Sequence, residues 1–377
     1  MTGKACIISC SDHYHHRMFL WDTCLQRLGY RTEYITSDFD HATKQRFSCK
    51  IPGCVQLPVM EYRKNLSIER ILSHRIFSKS AKAYLEQEKP TVVVALLPPN
   101  FLAHYLAEYK KSNPDVTLIF DIFDLWPETF PSGKMKRLLA PVFSVWAALR
   151  DRNLPVADYV VTECDLFRNM LKLDPHKSET VYLCAEQSPA SSVPALSQDT
   201  LELCYLGSIN NIISIPDICK LIQELSAYKP VTLHIIGKGE KEQEFIASAK
   251  ASGAKVMFYG PVYDPVKKQQ IMDRCHLGIN IMKSSVCIGL TMKSVDYLRH
   301  GLPIINSIPA DTMELVSKHG IGIPYQKDCT AKIAGMNADD FYSMRKNVET
   351  VFSSTFAQNI AEDRIMHILE RLLVEVP

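Results

Sequence analysis

Short runs of β-branched and aliphatic residues alternate with segments of helical periodicity along nearly the whole of this 377-residue chain. In the first half the strand candidates are ACIISC, TEYIT, TVVVALL, VTLIFDI, DYVVTE and TVYLC. Helical patterns such as residues 18–28 and 101–111 lie between them. This alternation is typical of parallel sheets covered by helices. It predicts the α/β fold class.

A segment without periodicity, residues 185–200, is rich in Ser, Pro and Ala and is predicted to be a linker. The alternation then restarts with LELCYLG, VTLHIIG, KVMFYG, LGINIM and LPIIN. We therefore expect two Rossmann-like doubly wound domains that face a cleft, residues 1–186 and 200–356. The helical segment of about 357–377 is expected to return to the first domain.

The charge balance and the cysteines narrow the class of protein. Lys+Arg total 43 against Asp+Glu 41, which argues against nucleic acid as the main partner. Twelve cysteines are scattered without a Cys-x-x-Cys pair, as expected for reduced thiols. The apolar run at the N-terminus is too short for a signal peptide or a membrane span. These features predict a cytoplasmic protein.

The stretch GLTMKSVDYLRHGLP, residues 289–303, predicts a short helix with Thr291 as N-cap and Gly301 after its end. The helix should span Met292 to His300, with Met292, Val295 and Leu298 offering an apolar face to the core. It carries a lysine, Lys293, in its first turn, where the helix dipole disfavours a cation by up to ~1 kcal/mol.

A bound diphosphate would offset that cost, because helix amides, the Thr291 hydroxyl and the Lys293 ammonium all favour phosphate oxygens. Asp296, one turn on, could accept hydrogen bonds from sugar hydroxyls. The alternative is an ordinary capped helix with an exposed Lys293–Asp296 pair, worth ~0.3 kcal/mol.

Glycine-bearing loops follow three strands of the second half, where a missing side chain lets main-chain amides approach a ligand. IIGKGEKE lacks the third glycine of a dinucleotide fingerprint, so a plain tight turn is the alternative there. The candidate ligand contacts in these loops are Gly207, Ser208, Gly237, Lys238, Gly239, Gly260, Pro261 and Val262.

In the first half, DIFDLWPETFP places Asp121, Asp124 and Glu128 at a strand end, where acids could orient a hydroxyl, abstract its proton or bind a metal. The alternative is Asp124 as a turn or helix cap with Trp126 in the core. SDHYHHR, residues 11–17, follows the first strand. Its histidines suggest a metal, yet no second ligand set has suitable spacing, so substrate contact or plain surface exposure is favoured.

The segment KMKRLLAPVFSVWAALRDRN, residues 134–153, joins a basic start to an apolar, aromatic helix. Such a helix could rest on an anionic membrane and meet a lipid-linked substrate. Packing against its own sheet is the favoured interpretation.

The segment GLTMKSVDYLRHGLPII resembles the donor-binding segment of the family 4 retaining glycosyltransferases, G-L-P-N-K-L-x-E-Y-M-x-x-G-L-P-V-I. DIFDLWPETF also resembles the Asp-Leu-Trp-Pro-Glu element of bacterial members that build cell-surface polysaccharides. The resemblance covers most of the chain. It implies the GT-B architecture, a nucleotide-sugar donor in the second domain, an acceptor in the first, and no metal. The residues that match the donor segment in register are Gly289, Leu290, Lys293, Tyr297, Gly301, Leu302 and Pro303.

By this resemblance Lys293 holds the donor diphosphate, Leu290, Thr291 and Met292 lie near it, and Asp296 takes the place of the glutamate on the ribose. Gly207, Ser208 and Lys238 would line the phosphate side, with Pro261 and Val262 near the base. The chain departs from the family at Ile288, where an acid normally contacts the sugar, and at Phe123, where many members have histidine. The acceptor-side role then shifts to Asp124, with His13, His16 or Arg17 as weaker candidates.

The resemblance implies a retaining glycosyltransferase that moves a sugar from a nucleotide-diphosphate donor, with UDP as first candidate, to a glycan or lipid-linked glycan hydroxyl. No resident cofactor is expected, and contact with the inner face of the membrane stays open. Two alternatives also stay open: a nucleotide-sugar epimerase, and a non-catalytic glycosyltransferase-like partner subunit.

Overall fold

The computed structural model describes residues 3–11, 15–130, 138–188 and 196–374, and the chain forms two compact units. Unit 1 comprises Met1–Tyr182 and Ala361–Pro377, and unit 2 comprises Leu183–Ile360. The predicted linker, residues 185–200, lies in part outside the described residues.

Unit 1 is built on a seven-stranded parallel sheet in the order β5-β2-β1-β6-β7-β8-β9. Its strands are β1 (Lys4–Ile8), β2 (Arg31–Ser37), β5 (Val55–Leu57), β6 (Val92–Leu97), β7 (Thr117–Ile122), β8 (Tyr159–Thr162) and β9 (Ser178–Thr180), and β3 (Phe39–Asp40) and β4 (Gln45–Arg46) form a separate ribbon. Its first five helices are α1 (His15–Arg27), α2 (Ile68–Glu88), α3 (Asn100–Ser112), α4 (Ala140–Asp151) and α5 (Asp165–Leu171).

The central strands are hydrophobic throughout because parallel strands covered by helices are buried on both faces. Strand β6, VVVALL, is buried at all six positions. The order of strands reverses between β1 and β6, and ligands in such sheets bind at the carboxyl ends of the strands beside a reversal.

Unit 2 repeats the design with six parallel strands in the order β12-β11-β10-β13-β14-β15, reversing between β10 and β13. Its strands are β10 (Leu201–Leu206), β11 (Val231–Ile236), β12 (Lys255–Gly260), β13 (Leu277–Asn280), β14 (Ile304–Asn306) and β15 (Gly322–Pro324). Its helices are α6 (Ile215–Ser226), α7 (Glu242–Ala251), α8 (Pro265–Asp273), α9 (Met292–Arg299), α10 (Asp311–His319), α11 (Cys329–Ala334) and α12 (Ala338–Val351). Two parallel doubly wound sheets confirm the predicted fold class.

A last helix, α13 (Gln358–Leu373), packs on unit 1, which confirms the predicted return of the C-terminal segment. A guanidinium nitrogen of Arg27 lies 2.7 Å from the Glu362 carboxylate, and Arg364 donates to the carbonyl of Thr180 at 2.9 Å. Ile365 and Ile368 are fully buried.

The strand predicted from TVYLC is wrong in position, since β9 ends at Thr180. The chain then leaves the sheet, and the Tyr182 hydroxyl donates to Asp165 at 2.9 Å. Strands β5 and β15, three residues each, lie at an edge of the sheets of unit 1 and unit 2 respectively. They were absent from the sequence prediction because so short a run carries little pattern.

Candidate functional site

Helix α9 is fastened at the point where the strand order of unit 2 reverses. The buried hydroxyl of Tyr297 accepts from the Leu206 amide at 2.7 Å and lies 3.1 Å from the carbonyl oxygens of Cys204 and Ile279. One phenol therefore ties the helix to both β10 and β13. A Cβ at Gly278 would lie 2.8 Å from the Tyr297 ring, which accounts for glycine in that strand.

The capping of α9 agrees with the sequence prediction. The Thr291 hydroxyl accepts from the Ser294 amide at 3.0 Å, and Gly301 has φ +68°, in the left-handed region. The helix ends at Arg299, one residue before the predicted end. The expectation that Met292 faces the core is wrong: it is 59% exposed, because at 3.6 residues per turn it lies opposite the buried face of the helix.

Lys293 is a half-buried cation without an acidic partner among the described residues. Its ammonium lies 5.1 Å from the centroid of the Tyr205 ring, and its Cδ lies 3.6 Å from where a Cβ on Gly207 would be. Burial lowers the pKa of Lys293 to about 8. Both burial and the helix dipole oppose this charge, so the site favours an anion.

Asp296 pairs with Lys268 of α8, the two charged atoms 2.8 Å apart. In the described ranges it forms no pair with Lys293, so the alternative of a Lys293–Asp296 surface pair is wrong. The ion-paired carboxylate keeps free lone pairs that can accept hydrogen bonds from hydroxyl groups.

The loops after β10, β11 and β12 are joined by their main chains. The Gly207 amide donates to the carbonyl of Ile236, and the Gly237 amide donates to that of Gly260, both at 2.9 Å. A Cβ on Gly237 would lie 2.0 Å from the Gly207 oxygen, and one on Gly239 would lie 2.2 Å from the Ile209 oxygen. The interpretation that these two glycines make room for a ligand is therefore wrong, because the neighbouring main chain fills that space.

The other predicted donor contacts differ in exposure. Ser208, Lys238 and Pro261 are exposed, and Val262 is half-buried. Leu290 is 3% exposed, so its side chain belongs to the core and only its main chain is left to meet a ligand. The roles of these five residues stay predictions.

In unit 1, two of the three acids near the end of β7 are held in ion pairs. The Asp121 carboxylate is fully buried and accepts from Arg17 at 2.7 and 2.9 Å and from Trp21 at 2.6 Å. Glu128 pairs with Arg150 at 2.9 Å. The interpretation of Asp121 as a substrate or metal group is wrong, and so is that of Arg17 as an acceptor-side candidate, because these two buried charges are matched to each other. The role of the partly exposed Glu128 stays a prediction.

Asp124, the third acid, accepts from the Thr129 hydroxyl at 2.6 Å in the turn after β7. Burial raises its pKa. His16 is exposed at the start of α1, and His13 lies outside the described residues. The catalytic roles of Asp124 and His16 stay predictions.

Helix α4 is buried on one side only. Phe143 and Trp146 join an aromatic cluster with Phe130, whereas Val142 and Val145 are 56% and 68% exposed. Packing within unit 1 thus accounts for one face of α4. The basic start of the predicted segment, up to residue 137, lies outside the described residues. No helix in the described ranges is long and apolar enough to cross a membrane.

The part of the chain that the structure describes contains no cluster of three or more His, Cys, Asp or Glu side chains suited to a metal ion. All twelve cysteines lie in the described ranges, and none of them forms a disulfide there.

Sequence reasoning did not single out Tyr205 or Lys268. An aromatic residue two positions before Gly207 at a strand end was an available signal for Tyr205. Lys268 lies 28 residues from its partner Asp296, and nothing in the local sequence joins them.

Residues 200–338 match the sequence model of the family described as Glycosyl transferases group 1. No curated protein matches the chain in sequence. The matched residues contain helix α9 and the loops around Lys293. The narrower assignment to family 4 stays a prediction.

Solved structures extend the likeness to the whole chain. Sucrose-phosphate synthase from Thermosynechococcus elongatus has a TM-score of 0.72 at 11% identity, with 98% of each chain covered. Anabaena HepE in complex with UDP-glucose has a TM-score of 0.64 at 16% identity, covering 98% of this chain and 100% of its own. Trehalose-6-phosphate synthase, studied for glycosyl transfer with retention, has a TM-score of 0.64 at 9% identity, covering 97% and 99%. The fold is the GT-B fold of glycosyltransferases.

Proposed function

We propose that the chain is a retaining glycosyltransferase that takes a UDP-sugar on unit 2 and a glycan or lipid-linked glycan acceptor on unit 1. The observation that carries the proposal is Lys293, a half-buried cation without an acidic partner among the described residues, in the first turn of α9. A diphosphate supplies the negative charge that the site lacks. The complexes of Anabaena HepE with UDP and with UDP-glucose support a uridine nucleotide as the donor.

The leaving diphosphate gains charge as the bond to the sugar breaks. The Lys293 ammonium and the amides of Met292 and Lys293, which precede the first hydrogen bond within α9, stabilise that charge. Asp296 accepts hydrogen bonds from ribose hydroxyls while Lys268 holds it in place. No metal and no resident cofactor takes part in this scheme.

On the acceptor side we assign Asp124 to orient the reacting hydroxyl. Its half-buried carboxylate already accepts from Thr129, which fixes its orientation. No protein nucleophile is assigned to the chain. The acceptor hydroxyl therefore attacks the anomeric carbon on the face from which the diphosphate leaves, and the configuration at that carbon is retained. The retention studied in trehalose-6-phosphate synthase supports this course.

The test is thermal unfolding with UDP, GDP, ADP and dTDP, comparing wild type with Lys293→Ala. A nucleotide at 100 times its dissociation constant stabilises the folded state by about 2.7 kcal/mol. We expect UDP to raise the melting temperature of wild type and not that of the variant. Lys318→Ala, which removes an exposed lysine from the last turn of α10, is the matched control and should keep the full shift.

Absence of a shift with all four nucleotides would contradict donor binding and favour the non-catalytic partner subunit. Product analysis then distinguishes a glycosyltransferase from an epimerase. Release of free sugar from a UDP-sugar supports transfer chemistry, whereas conversion of one UDP-sugar into its epimer supports the epimerase.

A further inference from the structure

Unit 1 contains a cavity of about 90 Å³ at the carboxyl ends of β1, β2, β6 and β7. It therefore lies beside the point where the strand order of this sheet reverses, as ligand sites in open α/β sheets do. Arg70 and His74 of α2 reach it from one side, and Tyr62 and Trp126 contribute aromatic walls.

Arg70 is 4% exposed and has no carboxylate at ion-pair distance in the described ranges. Its Nη1 donates to the carbonyl of Asn65 at 3.0 Å, and its buried Nε has no hydrogen-bond partner. The guanidinium lies 4.2 Å from the centroid of the Trp126 ring and 5.7 Å from that of Tyr62. The Tyr62 hydroxyl is a further hydrogen-bond partner of the guanidinium, and the charge of Asp124 acts on it from beyond ion-pair distance. The Nε donor of this buried cation, which also lies against two aromatic rings, stays unused.

Two other buried arginines of unit 1 each form an ion pair with a carboxylate. Arg17 binds Asp121 through two nitrogens, and Arg150 binds Glu128 through two nitrogens. Burying a guanidinium without a carboxylate partner is costly, so that of Arg70 needs a reason that packing alone does not give.

His74 adds a second unused polar group in the same cavity. It is 5% exposed, its Nδ1 has no hydrogen-bond partner, and its ring stacks on Trp126 at 5.9 Å between centroids. Burial and the charge of Arg70 keep its pKa well below the usual value, so the imidazole is neutral. A neutral imidazole can donate one hydrogen bond to an anion without repelling Arg70.

We infer that this cavity binds an oxyanion on the acceptor, so that the enzyme glycosylates an acidic sugar. The Arg70 guanidinium and the His74 imidazole hold the acidic group, and the Trp126 and Tyr62 rings pack on the sugar. The acid is the carboxylate of a uronic acid or the phosphate of a sugar phosphate. The inference rests on the proposed function only in assigning the bound sugar as the acceptor. The evidence for the binding site itself comes from unit 1 alone.

The experiment measures binding of glucuronate, glucose 6-phosphate and glucose by thermal shift. The whole chain carries Lys293→Ala so that the proposed diphosphate site cannot bind the probes. Arg70→Met is compared with Arg75→Met, which removes an exposed arginine from the same helix. We expect at least one acidic sugar to raise the melting temperature, glucose to have no effect, and the shift to vanish in Arg70→Met but persist in Arg75→Met.

A shift with glucuronate alone identifies a carboxylate, and a shift with glucose 6-phosphate alone identifies a phosphate. Shifts with both show that the cavity selects charge, and each of these results supports the inference. Equal shifts with glucose, no shift with any probe, or full shifts in Arg70→Met overturn it.

A purely structural role for Arg70 is tested without any ligand. Arg70→Met should lower the melting temperature of the empty protein less than Arg17→Met does, because it breaks a hydrogen bond and ring contacts but leaves no carboxylate unpaired. Arg17→Met should lower it, because Asp121 is left unpaired. If Arg70→Met lowers the melting temperature as much as Arg17→Met does, the inference is overturned. UDP binding by wild type and Arg70→Met is measured in parallel, so failure of the acidic-sugar site is distinguished from failure of the donor site.

Discussion

The ammonium of Lys293 makes donor binding dependent on pH. Burial lowers its pKa to about 8, whereas the diphosphate of UDP favours the protonated form. We expect the affinity for UDP to fall as pH rises above 8, approaching about tenfold per pH unit. Lys293→Arg keeps its charge over this range and should give a flat profile. The measurement is isothermal titration between pH 7 and 9.5. A flat wild-type profile would show that this ammonium does not contact the diphosphate.

The same lysine has the opposite effect on the empty protein. Its pKa is lower in the folded state than in the unfolded chain, so the unfolded chain binds more protons between pH 8 and about pH 10. The free energy of unfolding should therefore gain a contribution from Lys293 as pH rises through that window. Urea unfolding of wild type and Lys293→Ala isolates this contribution.

Single residues were predictable from the sequence where their partners are local. The Thr291 cap and the position of Lys293 follow from a few neighbouring residues and the rules for helix ends. Asp121 was misinterpreted because its partner Arg17 lies 104 residues away, and a lone sequence does not reveal that pairing. The Arg70 site was missed because a lone sequence does not reveal that a buried arginine lacks a carboxylate partner, which the structure shows for the described ranges.

At the scale of elements, the loops after β10, β11 and β12 form one layer, and Gly237 is its tightest point. In Gly237→Ala the new methyl group would meet the Gly207 oxygen, so the two loops must separate. We expect a loss of unfolding free energy well above the roughly 1–2 kcal/mol that a left-handed alanine costs by itself. We also expect weaker binding of UDP, because Gly207 lies beside Lys293.

Gly260→Ala is the control for Gly237→Ala. Gly260 also has a positive φ, +66°, but nothing lies within 4 Å of its Cβ position. Urea unfolding of the two variants separates main-chain strain from steric contact. Equal losses would contradict the role assigned to the contact between the Gly207 and Gly237 loops.

Elements were predictable in proportion to their length and burial. The central strands of both sheets and helices α1, α3 and α9 follow from hydrophobic runs and end signals. The three-residue edge strands β5 and β15 depend on pairing with a neighbour rather than on their own pattern. For the strand predicted from TVYLC, the apolar pattern indicated the type of element but placed it too late in the chain.

At the scale of the whole molecule, α13 makes the stability of unit 1 depend on the end of the chain. Ile365 is fully buried in that helix, so Ile365→Ala should cost about 2–5 kcal/mol. Hydrogen exchange should accelerate in the strands of unit 1, while the affinity of unit 2 for UDP stays unchanged. His367→Ala, at an exposed position of the same helix, should change neither. If Ile365→Ala accelerated hydrogen exchange only in unit 2, the assignment of α13 to the stability of unit 1 would be contradicted.

The architecture of two units was predictable because the alternation of strand and helix patterns stops at residues 185–200 and then restarts. The return of the C-terminal segment was predictable from its helical pattern together with the family resemblance. The ion pairs and buried side chains that hold α13 on unit 1 join residues far apart in sequence, so they were visible only in the structure.

In the layer of loops beside Lys293, the groups that hold the loops together differ from the side chains that face solvent. The frame of this layer consists of main-chain hydrogen bonds, among them those donated by Gly207 and Gly237, whereas the side chains of Ser208, Lys238 and Pro261 are exposed. Substitutions at those three positions change what the loops offer a ligand without touching the bonds that hold the loops in place. If these loops contact the donor as proposed, selection can vary ligand preference here at little cost to folding, and this layer is then the natural starting point for engineering a new specificity.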